Sequence, residues 1–302
     1  MPTVFGESIV MRILHQSREG LDLDSMGLKG AAYVRLKQEI ERPNGMVITT
    51  GPTGSGKTTT MYAIMKIINK PGVKIITLED PVEYRMAGIN QSQVDLEKGY
   101  DFARGLKSIL RQDPDIAMVG EIRDLETAEI AIQAALTGHL ILSTIHTNNA
   151  AGAIPRFLSM GVKPFLLAPS LNAVIGQRLV RRICPYCAQE EELDNHTLER
   201  VGKVIQNMPE EVRNSLDITN MKFYKGQGCK KCGGIGYKGR IGIFEIFSIT
   251  SEIEQMILSG RSSEYDIEQV AIKNGMVTMV QDGVLKALEK ITSLEEVFRV
   301  AE

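Results

Sequence analysis

The 302 residues are long enough for two domains, and 43% apolar with 24% charged residues is an ordinary globular composition. A formal net charge of −2 argues against a protein that binds nucleic acid through bulk positive charge. No apolar run reaches the ~18 residues that a membrane helix needs, and residues 1–7 lack a signal-peptide pattern. We therefore expect a cytoplasmic protein that contacts a membrane only through a partner.

The first predicted elements lie before the motifs that carry chemistry. Residues 3–14 have the apolar, β-branched pattern of a strand, but one strand cannot bury itself and must belong to something larger. Residues 20–27 have the composition of a linker, and residues 28–41 have the apolar spacing of a helix. Residues 43–45 read Pro-Asn-Gly, which is a turn sequence.

Strands and helices alternate in the next part of the chain. The predicted strands cover residues 46–50, 74–79, 116–120 and 140–145, and the predicted helices cover residues 57–69, 102–112, 127–136 and 150–160. This order favours an α/β fold with a mostly parallel sheet that helices cover on both faces. After residue 181 the pattern changes to a cysteine-containing region, and residues 248–302 are predicted to form several helices.

Residues 51–58 read Gly-Pro-Thr-Gly-Ser-Gly-Lys-Thr and fit the phosphate-loop pattern G-x-x-x-x-G-K-[ST]. A predicted strand precedes the loop and a predicted helix follows it, which is the context that the motif requires. The glycines let backbone N–H groups turn inward, and a helix N-terminus favours the phosphate charge. We expect Lys57 to reach the β- and γ-phosphates and the Thr58 hydroxyl to bind Mg²⁺. The predicted nucleotide-binding residues are Gly51, Pro52, Thr53, Gly54, Ser55, Gly56, Lys57, Thr58 and Thr59.

Acidic residues follow two of the predicted strands. Ligands of open α/β sheets lie at the carboxyl ends of the strands. A carboxylate at such an end holds Mg²⁺ or its water in phosphate-loop enzymes, and a second must orient or deprotonate the attacking water. We assign Glu121 to the Mg²⁺ and Glu83 to the water; the alternative for each is a solvated acidic loop.

Two histidines bracket the predicted strand at residues 140–145. His139 and His146 are seven residues apart, so they lie at opposite ends of the strand and on different pleat faces, and they cannot easily share a metal. His146 lies at the carboxyl end, where it could sense the γ-phosphate or have only a structural role. Strand geometry alone favours a structural role for His139.

Three cations, Arg104, Lys107 and Arg111, lie on one stripe of a predicted helix. Such a stripe is usually a solvated face. The alternative is an arginine that reaches the nucleotide of a neighbouring subunit, and on that interpretation Arg104 and Arg111 join the candidate nucleotide-binding residues.

All the cysteines of the chain occur in two C-x-x-C pairs, Cys184 with Cys187 and Cys229 with Cys232. In a cytosolic chain two such pairs favour a tetrahedral Zn²⁺ site over disulfides. The 41 residues between the pairs exceed the usual spacing of a zinc ribbon. Four reduced cysteines without metal are the alternative.

These segments together resemble the secretion-ATPase superfamily, above all the assembly ATPases of type II secretion systems and type IV pili. The phosphate loop resembles the Walker A motif of that family. Residues 76–84 (Ile-Thr-Leu-Glu-Asp-Pro-Val-Glu-Tyr) resemble its Asp box, residues 110–124 its Walker B motif and residues 137–148 its His box. The similarity extends through the cysteine pairs and covers essentially the whole chain.

The resemblance implies a RecA-like, Mg²⁺-dependent ATPase that forms a homo-hexameric ring on the cytoplasmic face of the inner membrane. It implies that ATP turnover drives an inner-membrane platform protein, which adds pilin-like subunits. Glu83 would be the catalytic carboxylate and Glu121 the Walker B acid, with Lys57 and His146 also in the catalytic set. His139, as part of the His box, is placed among the candidate nucleotide-binding residues. The tetracysteine element distinguishes assembly motors from the related retraction motors.

Members of this family carry further N-terminal domains, and residues 3–14 look like the last strand of one. We therefore expect a fragment or an unusually short member, with Arg12 as a residue that could reach a neighbour's nucleotide. The expected divisions are a truncated domain at residues 1–19, a linker at 20–27, an ATPase core at 28–180, a zinc subdomain at 181–247 and a helical region at 248–302.

Three other functions compete with an assembly motor: a nucleic-acid translocase or DNA-uptake ATPase, a retraction motor, and a module that binds nucleotide without hydrolysis. Basic residues near the cysteines could support the translocase: Arg178, Arg181, Arg182, Lys230, Lys231, Lys238 and Arg240. Against it, residues 188–228 have a net charge of −3, and the chain has no Trp and only 5% aromatic residues for base stacking.

Overall fold

The computed structural model describes residues 2–4, 6–9, 22–217 and 221–301. Half of the strand predicted at residues 3–14, including Arg12, lies outside these ranges. In the described part, β1 (Pro2–Thr3) pairs antiparallel with β2 (Gly6–Glu7), and Ile9 is exposed.

A seven-stranded sheet organises the molecule. Its strands are β3 (Gly45–Thr50), β4 (Ile75–Glu79), β5 (Ile89–Gln93), β6 (Ile116–Val119), β7 (Leu140–Ile145), β8 (Leu171–Ile183) and β11 (Tyr237–Ser248). Their spatial order is β11-β8-β3-β7-β6-β4-β5. All neighbours are parallel except β11, which is antiparallel to β8. The mostly parallel sheet predicted from the alternating pattern is confirmed.

Helices cover both faces of the sheet, which explains why its central strands are buried along their whole length. Every residue of β3 and β7 is buried. Val47 of β3 packs with one buried cluster, whereas Met46 and Ile48 pack with the other on the opposite face. The helices of this region are α1 (Gly30–Ile40), α2 (Lys57–Ile68), α3 (Phe102–Leu110), α4 (Leu125–Leu136), α5 (Ala153–Ser159) and α6 (Pro164–Ser170).

The cysteine region projects from a long hairpin. Strand β8 has 13 residues, and it pairs with β11 from Ala173 as far as Ile183. Beyond the hairpin lie β9 (Ala188–Glu191), α7 (Asn195–Gln206), α8 (Glu210–Asn214) and β10 (Phe223–Gly226). The hairpin crosses the expected division at residue 181, because β11 completes the sheet of the ATPase core.

The C-terminal region consists of α9 (Ser251–Leu258), α10 (Glu264–Lys273), α11 (Met279–Leu288) and α12 (Leu294–Ala301). Glu245 of β11 accepts hydrogen bonds from the backbone N–H groups of Met279 at the start of α11 (3.2 Å) and of Ala150 after β7 (2.6 Å). One buried carboxylate therefore ties the sheet to α11 and to the loop that follows β7.

Residues 22–28 pack along β11 instead of lying free as a linker. The Gly242 N–H donates to the Met26 carbonyl at 2.9 Å, and Leu23 and Leu28 are buried.

Among the described residues, no helix combines the length and the apolar character needed to cross a bilayer.

Candidate functional site

The predicted phosphate loop lies between the carboxyl end of β3 and the first turn of α2. Its glycines are required at two positions. Gly51 and Gly56 have φ values of +146° and +92°, in the left-handed region that glycine tolerates. A Cβ at Gly51 would also lie 2.6 Å from the Gln177 carbonyl oxygen, and one at Gly56 would lie 2.9 Å from Gln177 Nε2.

The first turn of α2 is open to a ligand. Gly56 is the N-cap residue, so no side chain caps the free N–H groups of this helix. Thr58 and Thr59 are exposed in the same turn. The open N–H groups and the helix dipole together favour an anion such as a phosphate.

The Lys57 ammonium points back into the loop. Its Nζ donates to the carbonyl oxygens of Gly51 (2.8 Å) and Pro52 (3.1 Å). Burial lowers the pKa of Lys57; the nearby Glu121 carboxylate opposes this shift and Arg178 adds to it. The cation thus lies within the curve of the loop, where a phosphate would give it a stronger partner than two neutral carbonyl groups.

Glu121 and His146 come together at the edge of the sheet. Glu121 follows β6, its side chain is 13% exposed, and its Oε2 lies 3.4 Å from His146 Nε2. Its Oε1 pairs with Arg123. The pKa of Arg123 is raised, first by its hydrogen bond to Glu121, although burial opposes the shift, and further by the charges of Glu121 and Asp80. The sequence had not identified Arg123 as part of this cluster.

The carboxylates after β4 differ in their surroundings. Glu79 is buried and accepts hydrogen bonds from Tyr62, Thr77 and Gln91, which occupy both of its oxygens. Burial, together with the hydrogen bond from Tyr62 to Glu79, raises the pKa of Tyr62. Glu83 lies four residues further along at the same edge and is only half-buried. Glu83 is therefore better placed than Glu79 to meet a solvent-derived nucleophile.

Three of the predicted nucleotide-binding residues are not brought to the loop within one chain. His139 directly precedes β7 at the opposite edge of the sheet, where its Nδ1 lies 3.1 Å from the Ala134 carbonyl oxygen. Because β7 is parallel to β3, its amino end is remote from the phosphate loop. Arg104 Nη1 donates to the Gly99 carbonyl oxygen at 2.9 Å, and the exposed Arg111 ends α3. The expected contact of His139 with the nucleotide is at odds with this geometry.

Two residues that sequence reasoning had not assigned to the site lie beside the loop. Gly176 of β8 pairs with Thr50 of β3, so Gln177 and Arg178 follow next to Gly51. Arg178 donates to the Asn148 carbonyl oxygen in the segment after His146. Only the pairing of two distant strands reveals these neighbours, so no local sequence signal could have found them.

Several buried polar atoms around the loop have no hydrogen-bond partner among the described residues: Ser55 Oγ, Glu121 Oε2 and Gln177 Nε2. A buried polar atom without a partner typically costs about 1–3 kcal/mol. Their concentration around one loop fits a site completed by a polar ligand and its metal ion.

The four cysteines form a second site. Their sulfur atoms all lie within 4.8 Å of one another, the only such group of three or more ligands in the described part of the chain. The Cys184–Cys229 and Cys187–Cys232 sulfur distances are both 3.8 Å, close to the ~3.8 Å edge of a tetrahedron with Zn–S bonds of ~2.3 Å. This cluster could hold a metal ion.

Backbone groups around the cluster favour thiolate ligands. The Cys232 sulfur accepts N–H groups from Cys229 (3.2 Å) and Gly236 (3.3 Å). Such outer contacts orient a metal ligand and stabilise its negative charge.

Comparison with known proteins agrees with these features. PilB of Thermus thermophilus, a type IV pilus assembly ATPase, is 47% identical over 297 residues, which are 98% of this chain and 32% of that protein. Type II secretion system protein E of Klebsiella pneumoniae is 44% identical over 303 residues, which are 100% of this chain and 58% of that protein. The chain thus spans between about a third and three-fifths of the length of these relatives.

Solved structures show the same fold. The pilus retraction motor PilT with bound ADP superposes with a TM-score of 0.67 at 27% identity, over 96% of this chain and 69% of that one. The ATPase DotB of Legionella pneumophila superposes with a TM-score of 0.65 at 21% identity, over 92% and 64%, which supports the fold alone. The family model described as "Type II/IV secretion system protein" matches residues 1–299, and with the phosphate loop, the strand-end acids and this fold it shows that the chain belongs to that family.

Proposed function

We propose that this chain is the ATP-hydrolysing part of a motor that assembles a pilus or a type II secretion pseudopilus. The observation that carries the proposal is the open phosphate loop with Lys57 inside it and Glu121 beside it. The relatives named above are assembly or secretion ATPases, which supports the same activity here. A retraction motor and a nucleic-acid translocase are the alternatives.

The residues of the loop supply the binding step. The backbone N–H groups of residues 53–58 and the Lys57 ammonium would bind the β- and γ-phosphates and stabilise the charge that develops on the transferred group. Thr58 and Glu121 would hold Mg²⁺, which neutralises phosphate charge when bound. Glu83 would orient and deprotonate the attacking water, while His146 lies close enough to Glu121 to respond to the γ-phosphate.

The cysteine cluster supports a structural Zn²⁺ site. Four thiolates complete a tetrahedral shell, so no position remains open for catalysis. We propose that Zn²⁺ fixes the two C-x-x-C turns at the end of the β8–β11 hairpin. The cysteine pairs also favour an assembly motor over a retraction motor.

A homo-hexameric ring on the cytoplasmic face of the inner membrane, acting on a membrane platform protein, remains part of the proposal. Arg104 and Arg111 lie on α3 away from their own loop, which is compatible with a contact across a subunit interface. The translocase is less favoured, because Arg181 pairs with Glu296 and Arg178 is bound to the Asn148 carbonyl.

The test is ATP turnover with Mg²⁺ over a range of protein concentrations, with Lys57→Ala and the exposed control Lys66→Ala in parallel. We expect specific activity to rise with concentration and to be abolished only in Lys57→Ala. Unchanged turnover in Lys57→Ala would contradict the site. Activity independent of concentration would contradict a shared site, and stimulation by DNA would favour the translocase.

A further inference from the structure

Gln177 occupies a position that the proposed mechanism does not yet use. It lies on β8, one residue after Gly176, which pairs with the last residue of β3 before the phosphate loop. Its side chain is fully buried. A buried carboxamide is unusual in a protein core unless its polar atoms are paired.

Gln177 touches both ends of the phosphate loop. Its carbonyl oxygen lies 2.6 Å from the place where a Cβ would project from Gly51, and its Nε2 lies 2.9 Å from the corresponding place at Gly56. A side chain at either glycine would therefore collide with Gln177. The backbone at both ends of the loop thus packs closely against Gln177.

The two polar atoms of the carboxamide differ in their partners. Oε1 accepts a hydrogen bond from Thr60 Oγ1 at 2.7 Å. Thr60 lies one helical turn after Gly56, and the Thr60 N–H donates to the Gly56 carbonyl oxygen. Nε2 is buried without an acceptor in the described structure. The carboxamide oxygen is thus hydrogen-bonded to α2, whereas the carboxamide nitrogen is a donor without a partner that faces the loop.

We propose that Gln177 is a positioning residue for nucleotide binding, which holds the loop between β8 and α2 in the form that accepts phosphates. Its Oε1 anchors the first turns of α2 through Thr60. Its Nε2 lies against Gly56 and offers the loop a buried donor that nucleotide binding can engage. Gln177 acts through the loop and does not itself touch ATP. The inference rests on the proposed ATPase activity.

The test compares Gln177→Met, which preserves length but removes both polar atoms, with Thr60→Val, which removes only the donor to Oε1. Gln133→Met, at an exposed position of α4, is the matched control. Mg-ATP affinity is measured by calorimetry, kcat and KM by turnover, and folding by thermal unfolding, all on the full chain. We expect about a tenfold loss of Mg-ATP affinity and a matching rise in KM in Gln177→Met, about 1.4 kcal/mol. Thr60→Val should lose less, and kcat should stay within about twofold.

A change in unfolding temperature with unchanged affinity would overturn the proposal, because it would show a purely structural role. A fall in kcat at unchanged KM would also overturn it. If Gln177→Met does not fold, Thr60→Val carries the test, and wild-type affinity there would equally contradict it. Lys57→Ala separates the two hypotheses: if that variant binds ATP like the wild type, the proposed function fails whatever Gln177→Met does.

Discussion

Lys57 and Glu121 are two charged residues of the candidate site whose partners are incomplete among the described residues. Lys57 is nearly buried, yet the loop gives it only carbonyl partners, and Glu121 keeps one buried oxygen without a hydrogen bond. Charges held close together in a partly dry site interact more strongly than in water. Binding of Mg²⁺ and phosphate would supply the missing partner to each of them, which favours binding of the complete Mg-nucleotide.

Glu296, unlike Glu121, is a carboxylate whose partners are already in place. Its side chain is fully buried and pairs with Arg181 of β8 and Arg299 of α12. Burial alone would raise the pKa of Glu296, but hydrogen bonds from Arg181 and Arg299 outweigh it and hold the pKa at about 2, below its usual 4.5. The charged form is therefore favoured in the folded chain.

This depressed pKa predicts a loss of stability in acid. Its contribution is present above the unfolded pKa near 4.5 and is lost as the pH falls towards 2. The contribution amounts to at most about 3 kcal/mol. Urea unfolding between pH 6 and 3 should show a decline that is smaller in Glu296→Gln, while the exposed neighbour Glu295→Gln should behave like the wild type. Equal pH dependence in all three chains would refute the assignment.

At the scale of elements, the β8–β11 hairpin joins the two sites of the molecule. Gly176 lies beside the end of β3, and Cys184 directly follows the end of β8. At ~3.3 Å per residue the strand spans roughly 25 Å between them. We therefore expect that a fixed conformation at the cysteine end of the hairpin helps β8 to support the phosphate loop at Gly176.

Metal removal tests whether a metal ion bound by the cysteine cluster stabilises this end of the hairpin. We expect one Zn²⁺ per chain by elemental analysis, and its loss on chelation or in Cys184→Ser. The metal-free chain should unfold at a temperature lower by roughly 5 °C or more, because metal binding is coupled to folding. Re-addition of Zn²⁺ should restore stability to the chelated wild type but not to Cys184→Ser. Identical unfolding with and without metal would exclude a structural role.

The elements also show what a single sequence can and cannot predict. The phosphate loop and the strand-end Glu121 follow from local pattern, because a motif and its two flanking elements are contiguous. Strand β5 (Ile-Asn-Gln-Ser-Gln) was not predicted, because an edge strand needs few apolar residues and only Ile89 of β5 is buried. Strand β8 was not predicted either. It follows Pro164 and Pro169 of α6, and its strand partners lie far away in sequence.

Residue roles divide in the same way. His146 could be placed at the edge of the sheet that carries the phosphate loop because it directly follows a strand, whereas His139 belongs to the same motif but precedes that strand at the other edge. Gln177 carries no motif of its own, and its importance depends on a register between β3 and β8 that no local pattern encodes. The neighbours that the sequence could not identify in the candidate site are thus those that depend on long-range strand pairing.

At the scale of the whole molecule, the sheet has two ends, and β11 forms one of them. Residues 22–28 lie along this strand, with the Gly242 N–H donating to Met26 and with Leu23 and Leu28 buried. An uncovered outer strand presents unpaired N–H and C=O groups that recruit strands from other molecules. We therefore expect the short segment before α1 to protect the molecule against self-association.

Chains shortened from the N-terminus should reveal this protection. A chain that starts at Asp22 should scatter light no more than the full chain, whereas one that starts at Lys29 should form aggregates at temperatures below its unfolding transition. The full chain with Leu23→Ala and Leu28→Ala loses similar apolar burial but keeps the backbone cover, so it should be less stable yet remain clear. If it aggregates like the shortened chain, lost stability is the cause. If only the shortened chain aggregates, seven residues that look like a connector act as a solubility element, and any shortened form of this chain has to retain them.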